Sequence, residues 1–532
     1  MVFGSLLLTS CSVSVDALNG KIEKQIAPTT DAPRSTRDAI LIPLPDGDLL
    51  SINSNKKDER FVVARYDDTL ATRWGKTIPL MDYELENLDW NAIDVRSDSV
   101  CIFSTLRPEN NGEKDSSKYF ARTISLKDGS YTEPRNIFSF PVADDDQAIV
   151  KTKIVNTTYG RLFGANEIRS YHTPDRKHFL ITTISLIPNS NNYYLSFSLF
   201  TKDLVLKKKT KLMLSDDTLG EKIHAVLPSN DGNVLISTFN KATRVFRSIR
   251  YAMMSDERTS ELRHTFEKLE DYEEYSFQFS PVQSSGNVFY AGVCVYEPPS
   301  SFITTGNSDF GAFYLGKIDQ DKNSMKFTKY ALSETLTEEL FDKSELQNIG
   351  LRNLYVDEAK GRIVAVFEEF NEITTAKYST QFTKNNRVSS SPAYSIGAPM
   401  ENVRTGSVTT YYSNNILLAA FDNDQNLIWQ RGIRNQDKST DHLVLGCRTS
   451  TGANNTLHLW YPLDNTIHYF EYDIATGRQL SDNQKQNLLR FKGPFLYLTP
   501  FSILDKNDKL VFLTRYGNID DSHIFKVTVL NK

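Results

Sequence analysis

The chain has 532 residues, enough for two to four ordinary domains unless repeats of one unit occupy it. Hydrophobic residues make up 39% of it and aromatic residues 11%, with 25 Tyr and 31 Phe, which favours a soluble body of strands and turns. The net charge of −5 excludes the global basic field of a nucleic-acid-binding protein. No run of about 18 apolar residues occurs, so we expect no transmembrane helix.

The first eleven residues, MVFGSLLLTSC, match the lipobox of bacterial lipoproteins, in which an apolar residue and two small residues precede a cysteine. A signal peptidase cuts beside the small side chains, and the thiol of Cys11 then receives the lipid that anchors the mature protein. The pattern predicts a signal peptide at 1–10, a lipid on Cys11 and a tether at 11–37, with its Ser, Thr, Ala, Pro and charged residues. The alternative is an ordinary apolar N-terminus with a buried cysteine.

Two details of this segment bear on export. Secretory signals open with Lys or Arg and none precedes Cys11, so we expect the native start to lie upstream of Met1. Ser12 follows the cysteine in place of Asp, which by resemblance to Gram-negative sorting rules predicts attachment to the outer membrane, on either its periplasmic or its surface side.

The three other cysteines, Cys101, Cys294 and Cys447, each lie in an apolar, strand-like run. An odd number with wide spacing is typical of neither a disulfide framework nor a metal site. We therefore predict buried free thiols.

One unit recurs along the chain: an apolar strand, a polar turn that often carries Asp-Gly, a second apolar strand, a third strand and a more polar fourth strand. The first copy runs from DAILIPL at Asp38 through the turn 45–48, LLSI and FVVARYD to TRWGKTI at Thr72. The seven further copies begin near Trp90, Ile168, Lys222, Tyr275, Leu351, His442 and Phe495. A sheet buries both apolar faces only by stacking against neighbours, which indicates a radial array of sheets.

The repeat predicts an all-β fold, a single β-propeller of seven or eight four-stranded blades over 38–532, with eight preferred at roughly 60 residues each. The last copy lacks a fourth strand, and 21–27 (KIEKQIA) has alternating apolar residues. We therefore predict that 21–27 completes the last blade, so that the N- and C-terminal strands close the ring. The longest stretch outside the repeat is predicted to be a loop near 372–413.

Three segments carry a family resemblance. RYDDTLATRWGKTI from Arg65 and AFDNDQNLIWQRGI from Ala420 resemble the commonest bacterial propeller repeat, and SYHTPDRKHFLI from Ser170 resembles the turn of WD40-like and TolB-like propellers. The sixth copy is similar to uncharacterised exported propellers of Gram-negative bacteria. The resemblance implies a fold and no particular activity. Trp74 and Trp429 fall at equivalent strand positions, which predicts packing between blades and not the docking of a quinone cofactor.

Motifs of known chemistry are missing from the sequence. It contains no Gly-x-Ser-x-Gly elbow, no P-loop, no Gly-x-Gly-x-x-Gly and no sialidase-type Asp box. The eight histidines are scattered, so we predict no metal site and no cofactor. The lysine run 207–209 is interpreted as a solvated strand end, and the acidic run 144–146 as a solvated loop with a Ca²⁺ site as the alternative.

Glu368 and Glu369 lie inside an otherwise apolar strand, IVAVFEEF. Alternation places one toward a blade interface and the other on the opposite face. A buried carboxylate needs a partner, so we favour pairing with an Arg or a backbone amide of the next blade, with a ligand or catalytic role as the alternative.

These observations favour a lipid-anchored, extracytoplasmic, monomeric β-propeller that acts as a non-enzymatic binding or scaffold module for a protein or glycan partner. The alternative is a propeller enzyme, a carboxylate-based hydrolase or lyase that acts on glycans at the central funnel. Carboxylates and an Arg that converge at one mouth of the channel would favour the enzyme.

Overall fold

A computed structural model describes residues 15–17, 20–26, 39–55, 60–79, 93–106, 117–140, 168–186, 192–215, 221–240, 243–267, 275–284, 287–296, 309–333, 336, 349–382, 400–434, 437–440, 447–452, 455–463, 466–480, 486–491, 495–498, 503–504, 509–516 and 523–529. The elements in these parts are β-strands, as the repeat predicts.

Seven sheets are each built from four antiparallel strands that follow one another in the chain, and they form the blades of a single all-β propeller. The strands of blades one to three are β3 (Ala39–Pro43), β4 (Leu49–Asn55), β5 (Arg60–Tyr66), β6 (Thr72–Pro79), β7 (Asp94–Val95), β8 (Ser99–Leu106), β9 (Ser117–Ser125), β10 (Arg135–Phe140), β11 (Ile168–His172), β12 (His178–Leu186), β13 (Asn192–Thr201) and β14 (Leu206–Ser215). Those of blades four and five are β15 (Glu221–Pro228), β16 (Asn233–Asn240), β17 (Val245–Ala252), β18 (Glu257–Thr265), β19 (Tyr275–Ser284), β20 (Asn287–Tyr296), β21 (Asp309–Asp319) and β22 (Ser324–Tyr330).

Blades six and seven each carry one additional strand. Their strands are β23 (Ile349–Asp357), β24 (Arg362–Phe382), β25 (Met400–Phe421), β26 (Leu427–Ile433) and β27 (Asp437–Thr440), then β28 (Arg448–Thr451), β29 (Thr456–Leu463), β30 (Thr466–Asp473), β31 (Gln486–Phe491) and β1 (Val15–Ala17). In blade six the additional strand β27 pairs with β25, and in blade seven β1 pairs with the outer strand β31.

A further sheet, here called the composite sheet, combines segments from distant parts of the chain. It contains β2 (Gly20–Ile26), β32 (Phe495–Leu498), β33 (Ile503–Leu504), β34 (Lys509–Tyr516) and β35 (His523–Val529). β2 pairs antiparallel with β35, so that Gly20 lies opposite Val529 and Ile26 opposite His523. Blades of four consecutive strands therefore number seven, one fewer than the eight that the sequence analysis preferred.

The core lies between blades. Each apolar cluster joins two neighbouring sheets; one, for example, joins Val364 and Leu418 of blade six to Leu457 and Phe470 of blade seven. The second strands are buried along nearly their whole length because both of their faces are covered, as in β16. The fourth strands, such as β18, are mostly exposed and form the outer rim. The first strands β11, β15, β19 and β23 contact one another in that order around the axis.

The loop predicted near 372–413 is wrong over most of its length. β24 and β25 continue to pair beyond the blade, from Phe370 opposite Ser413 to Phe382 opposite Met400. The segment is rich in Thr, Val, Ile and Tyr, which favour extended backbone without requiring an apolar face. A long hairpin therefore extends from blade six.

Candidate functional site

The buried acidic residue of the sixth blade forms an ion pair within its own sheet. Glu368 has no exposed surface, and its Oε2 accepts a hydrogen bond from Nε of Arg352, whose side chain is 4% exposed. Arg352 stands on β23 at a bulge, where the pairing with β24 shifts between Leu351 and Asn353. Glu368 lies opposite Gly350, two residues before Arg352, so the two charged side chains are diagonal neighbours and the long Arg side chain can reach the carboxylate.

The second oxygen of the same carboxylate bridges to the next blade. The backbone N–H of Cys447, just before β28, donates to Oε1 of Glu368 over 3.0 Å. A buried carboxylate is tolerated only when its oxygens are satisfied, and here both have partners. The preferred prediction for Glu368, pairing with an Arg and a backbone amide, agrees with this geometry, although the Arg belongs to the same blade.

Glu369 has a different neighbour. It is also buried, and its Oε2 accepts a hydrogen bond from the side-chain amide of Asn415 on β25, at 3.0 Å. Glu368 therefore contacts β23 and blade seven, whereas Glu369 contacts the adjacent strand of its own blade. The two carboxyl groups have different partners, and each is withdrawn from solvent.

Around Glu368 lies a polar joint, here called the 6–7 seam: Arg352, Asn353, Tyr355, Glu368, Cys447 and Thr449. The side-chain amide of Asn353 donates to Oγ1 of Thr449 over 2.7 Å, and the hydroxyl of Tyr355 donates to the same oxygen over 2.8 Å. Burial raises the pKa of Tyr355, so the hydroxyl remains a donor at neutral pH. These bonds fix the inner strands β23 and β28 side by side.

The thiol in this seam is not poised for nucleophilic attack. Burial, and then the nearby charge of Glu368, raise the pKa of Cys447 well above its ordinary value. Burial likewise raises the pKa of Cys101 to about 11. Both are buried free thiols, as predicted, and both stay protonated at neutral pH. Cys294 lies in β20, but its side chain is outside the described residues.

Two other blade joints use a tryptophan, and these bear out the predicted packing. The indole N–H of Trp74, on the outer strand of blade one, donates to the carbonyl of Leu126 in blade two over 2.9 Å. That of Trp429, on the outer strand of blade six, donates to the carbonyl of Ile474 in blade seven over 2.8 Å. Each ring covers a turn glycine of the next blade, Gly129 or Gly477.

The remaining sequence candidates fall in different places. Cys11 and the acidic run 144–146 lie outside the described residues. Lys207 and Lys209 are exposed on β14, whereas Lys208 forms an ion pair with Asp256 of blade four over 3.1 Å. Among the described residues, no three His, Cys, Asp or Glu side chains are grouped as a bound metal ion would require. In the portion of the chain that the structure covers, no apolar helix reaches the length that a bilayer crossing demands.

Sequence reasoning missed the partners of the two acidic residues. Arg352 precedes Glu368 by sixteen residues on the neighbouring strand β23, and Asn415 follows Glu369 by forty-six residues on β25. The one signal in the sequence was an Arg inside the apolar first strand LRNLYVD. A charge at such a position needs a buried counter-charge, and the following strand supplies it.

Comparisons with known proteins give a likeness of fold alone. No family model matches the chain, and no curated protein matches it. Among solved structures, a prolyl endopeptidase aligns at 7% identity and a TM-score of 0.37, over 94% of this chain and 55% of that one. The Pan2 WD40 domain of Neurospora crassa aligns at 10% identity and a TM-score of 0.30, over 83% of this chain and 89% of that one. The Dos1 propeller aligns at 10% identity and a TM-score of 0.29, over 81% of this chain and 90% of that one.

The chain thus spans about half the length of the prolyl endopeptidase that it matches. Its neighbours include an enzyme and WD40 propellers, and at these scores they carry no argument about activity. The sheets themselves define this chain as a β-propeller.

Proposed function

We propose that this chain is an extracytoplasmic β-propeller, anchored to the outer membrane through a lipid on Cys11, that acts as a non-enzymatic binding or scaffold module for a protein or glycan partner. The observation that carries the proposal is the 6–7 seam. The carboxylate that was the best catalytic candidate, Glu368, is fully buried and bonded to Arg352 and to the amide of Cys447. A general acid or nucleophile has to reach its substrate, and this group is used to join two blades.

We further propose that the composite sheet closes the ring of seven blades. Three features support this. β2 supplies the strand beside β35, β1 pairs with the outer strand of blade seven, and β34 contacts β3 of the first blade. The composite sheet then stands between blades seven and one, with its outermost strand contributed by the N-terminal segment.

Acyl labelling of the full chain in a Gram-negative host tests the anchor. We expect an alkyne fatty acid to label the protein and the label to disappear in Cys11→Ser, because only a thiol accepts the diacylglycerol. Ser12→Asp is the matched control: it should keep the label and move the protein from the outer to the inner membrane. A protein that carries no label, or a Cys11→Ser variant that keeps it, contradicts the anchor.

A second measurement separates binding from turnover. The purified chain is incubated with cell-envelope glycans and proteins, and we expect retention of a partner without new reducing or unsaturated sugar ends. Release of such ends, lost when Glu369 is replaced by Gln, would instead support the glycan-active enzyme. In that event the carboxylate beside Asn415 would be the group to study.

A further inference from the structure

The outer strand of blade three presents a row of lysines to solvent. β14 pairs with β13 on one side, and its alternate residues point to different surroundings. Lys208 and Thr210 contact blade four, through Asp256 and Tyr251 respectively. The intervening residues Lys207, Lys209 and Lys211, here called the basic stripe, are exposed. Lys209 and Lys211 lie about 6.7 Å apart along the strand, and Lys207 is the extra residue of a bulge, where the pairing with β13 shifts between Leu199 and Phe200.

Among the described residues, the lysines of the basic stripe contact rings and not carboxylates. Nζ of Lys209 lies 5.2 Å from the ring centre of Phe138, and Nζ of Lys211 lies 4.5 Å from that of Tyr194. Nζ of Lys207 lies 3.4 Å from Nε2 of His178. Within the described residues, none of the three forms an ion pair with an acidic side chain. Aromatic rings orient an ammonium group without neutralising its charge.

The outer strand of blade four provides the contrast. There Glu261 accepts from Arg263 over 2.8 Å and lies within 3.5 Å of Arg258, so a carboxylate of the same strand offsets part of the positive charge. The whole chain carries a net charge of −5, which makes an uncompensated basic strand a local exception.

Exposed apolar side chains lie at both ends of the basic stripe. Val205 is 60% exposed and Leu206 is 47% exposed at one end, and Met213 is 49% exposed at the other. Lysines alone would fit the protection of a sheet edge against aggregation, since charged edges repel stray strands. Exposed apolar groups have the opposite effect, and together with lysines they indicate a contact surface.

The backbone of β14 also has a free edge. Its only strand partner in the described parts is β13, so the opposite edge presents unpaired amide and carbonyl groups as far as Met213, whose carbonyl accepts from Arg258 over 3.0 Å. The fold contains a precedent for filling such an edge. In blade seven the segment β1 pairs antiparallel with the outer strand β31 as a fifth strand.

We infer that the outer edge of blade three binds an extended, acidic segment of a partner protein as a fifth strand. Main-chain hydrogen bonds to 206–212 would hold it, carboxylates at alternate positions would face the basic stripe, and apolar residues at its ends would cover Val205 and Met213. The spacing of Lys209 and Lys211 favours a strand over a lipid surface, because a strand repeats its side chains at the same interval. This inference rests on the proposed binding function and names the class of partner.

The test uses the full chain and a synthetic peptide in which three Glu alternate with Thr between terminal Val residues. Fluorescence anisotropy at low salt should show saturable binding. We expect the affinity for the peptide to fall about tenfold in the triple variant Lys207→Gln/Lys209→Gln/Lys211→Gln, because three exposed ion pairs of about 0.5 kcal/mol each are lost. The matched control Lys76→Gln/Lys127→Gln/Lys329→Gln removes three exposed lysines elsewhere and should change it less than about twofold.

A second experiment tests whether the peptide binds as a β-strand paired with β14. A peptide N-methylated at the positions that face β14 should lose most of its binding, and the unmodified peptide should slow amide exchange in 206–212. Three results would overturn the inference: equal binding of the methylated peptide, equal loss in the control variant, or lysine-dependent binding to phosphatidylglycerol vesicles with none to the peptide. If the peptide fails while the chain still retains an envelope partner, the proposed function stands without this site.

Discussion

Glu368 illustrates how one residue joins two blades in this propeller. Its carboxylate is buried away from water, and Arg352 and the backbone amide of Cys447 stabilise the charged form. Removal of one member leaves a buried charge without its counter-charge, which costs more than the intact pair contributes. The effect should therefore be large for single substitutions and small when both charges are removed together.

We expect Glu368→Gln to lower the free energy of unfolding by about 3–5 kcal/mol, as measured by urea denaturation. Arg352→Met combined with Glu368→Leu should be closer to the native protein than either single variant. Glu261→Gln, which removes a half-buried ion-pair partner on the rim, is the control and should cost about 1 kcal/mol or less. Equal losses for Glu368→Gln and Glu261→Gln would contradict a structural role for the seam.

Turn aspartates are the second residue-scale feature, and they explain why Asp recurs in the repeat. Each accepts a backbone N–H from two or three residues later, which closes the turn and lowers the pKa of the carboxyl. The group comprises Asp67, Asp128, Asp175, Asp319, Asp357 and Asp473.

Asp128 gives a pH prediction. The backbone N–H and the hydroxyl of Ser130 lower its pKa to about 2. Because the folded pKa is below the unfolded value of about 3.9, the stabilisation is present above about pH 4 and is lost as the pH falls toward 2. Unfolding free energies measured over this range should fall less steeply for Asp128→Asn. An identical slope in both proteins would contradict the assignment.

At the scale of elements, two joints between blades depend on a glycine in a turn, where any side chain would clash. Gly129 and Gly477 have φ values of +70° and +67°, a region that favours glycine. A Cβ atom would lie 2.7 Å from the ring of Trp74 in the first case and 2.5 Å from that of Trp429 in the second. Backbone conformation and ring packing therefore both require glycine.

We expect Gly129→Ala and Gly477→Ala each to lower the free energy of unfolding by about 3 kcal/mol, through backbone strain and overpacking together. Gly47→Ala is a matched control, because Gly47 has a φ of +92° but no atom within 4 Å of a built Cβ. It should cost about 1 kcal/mol from strain alone. If all three variants lose the same stability, the tryptophan contacts contribute nothing.

Much of the strand order could be predicted from the sequence, since inner strands such as IVAVF are continuous apolar runs that follow a polar turn, here Lys360-Gly361-Arg362. The hairpin beyond blade six could not, because 370–382 shows no regular apolar alternation. The partner of Glu368 could not be predicted either. That partner depends on the register between β23 and β24, which places Gly350 opposite Glu368, and the apolar pattern of a single sequence does not specify this register.

At the scale of the whole molecule, the composite sheet links distant parts of the chain. If β2 holds the ring closed, a proline that removes one of its hydrogen bonds should weaken the whole propeller. Neighbouring residues of an edge strand point their N–H groups in opposite directions, so Ile22→Pro and Glu23→Pro form a matched pair. In one variant a hydrogen bond to β35 is lost, and we expect the free energy of unfolding to fall by about 1–3 kcal/mol. In the other variant we expect the free energy of unfolding to be nearly unchanged.

Urea unfolding of the two proline variants distinguishes closure from a passive tail. The sensitive variant should also show increased protease cleavage near β35. Two neutral variants would mean that the pairing of β2 with β35 contributes no stability.

The pairing of β2 with β35 also affects the order in which the sheets fold during synthesis. Gly20 and Val529 are more than five hundred positions apart, so β2 leaves the ribosome long before its partner strand β35 is synthesised. The four consecutive strands of each blade can pair as they leave the ribosome, because most of the loops between them are short and cost little entropy to close. Completion of the composite sheet should then be the slow step of biogenesis. Until it occurs, the outer edge of β35 stays open, and the nascent protein is most vulnerable to joining another copy at that edge.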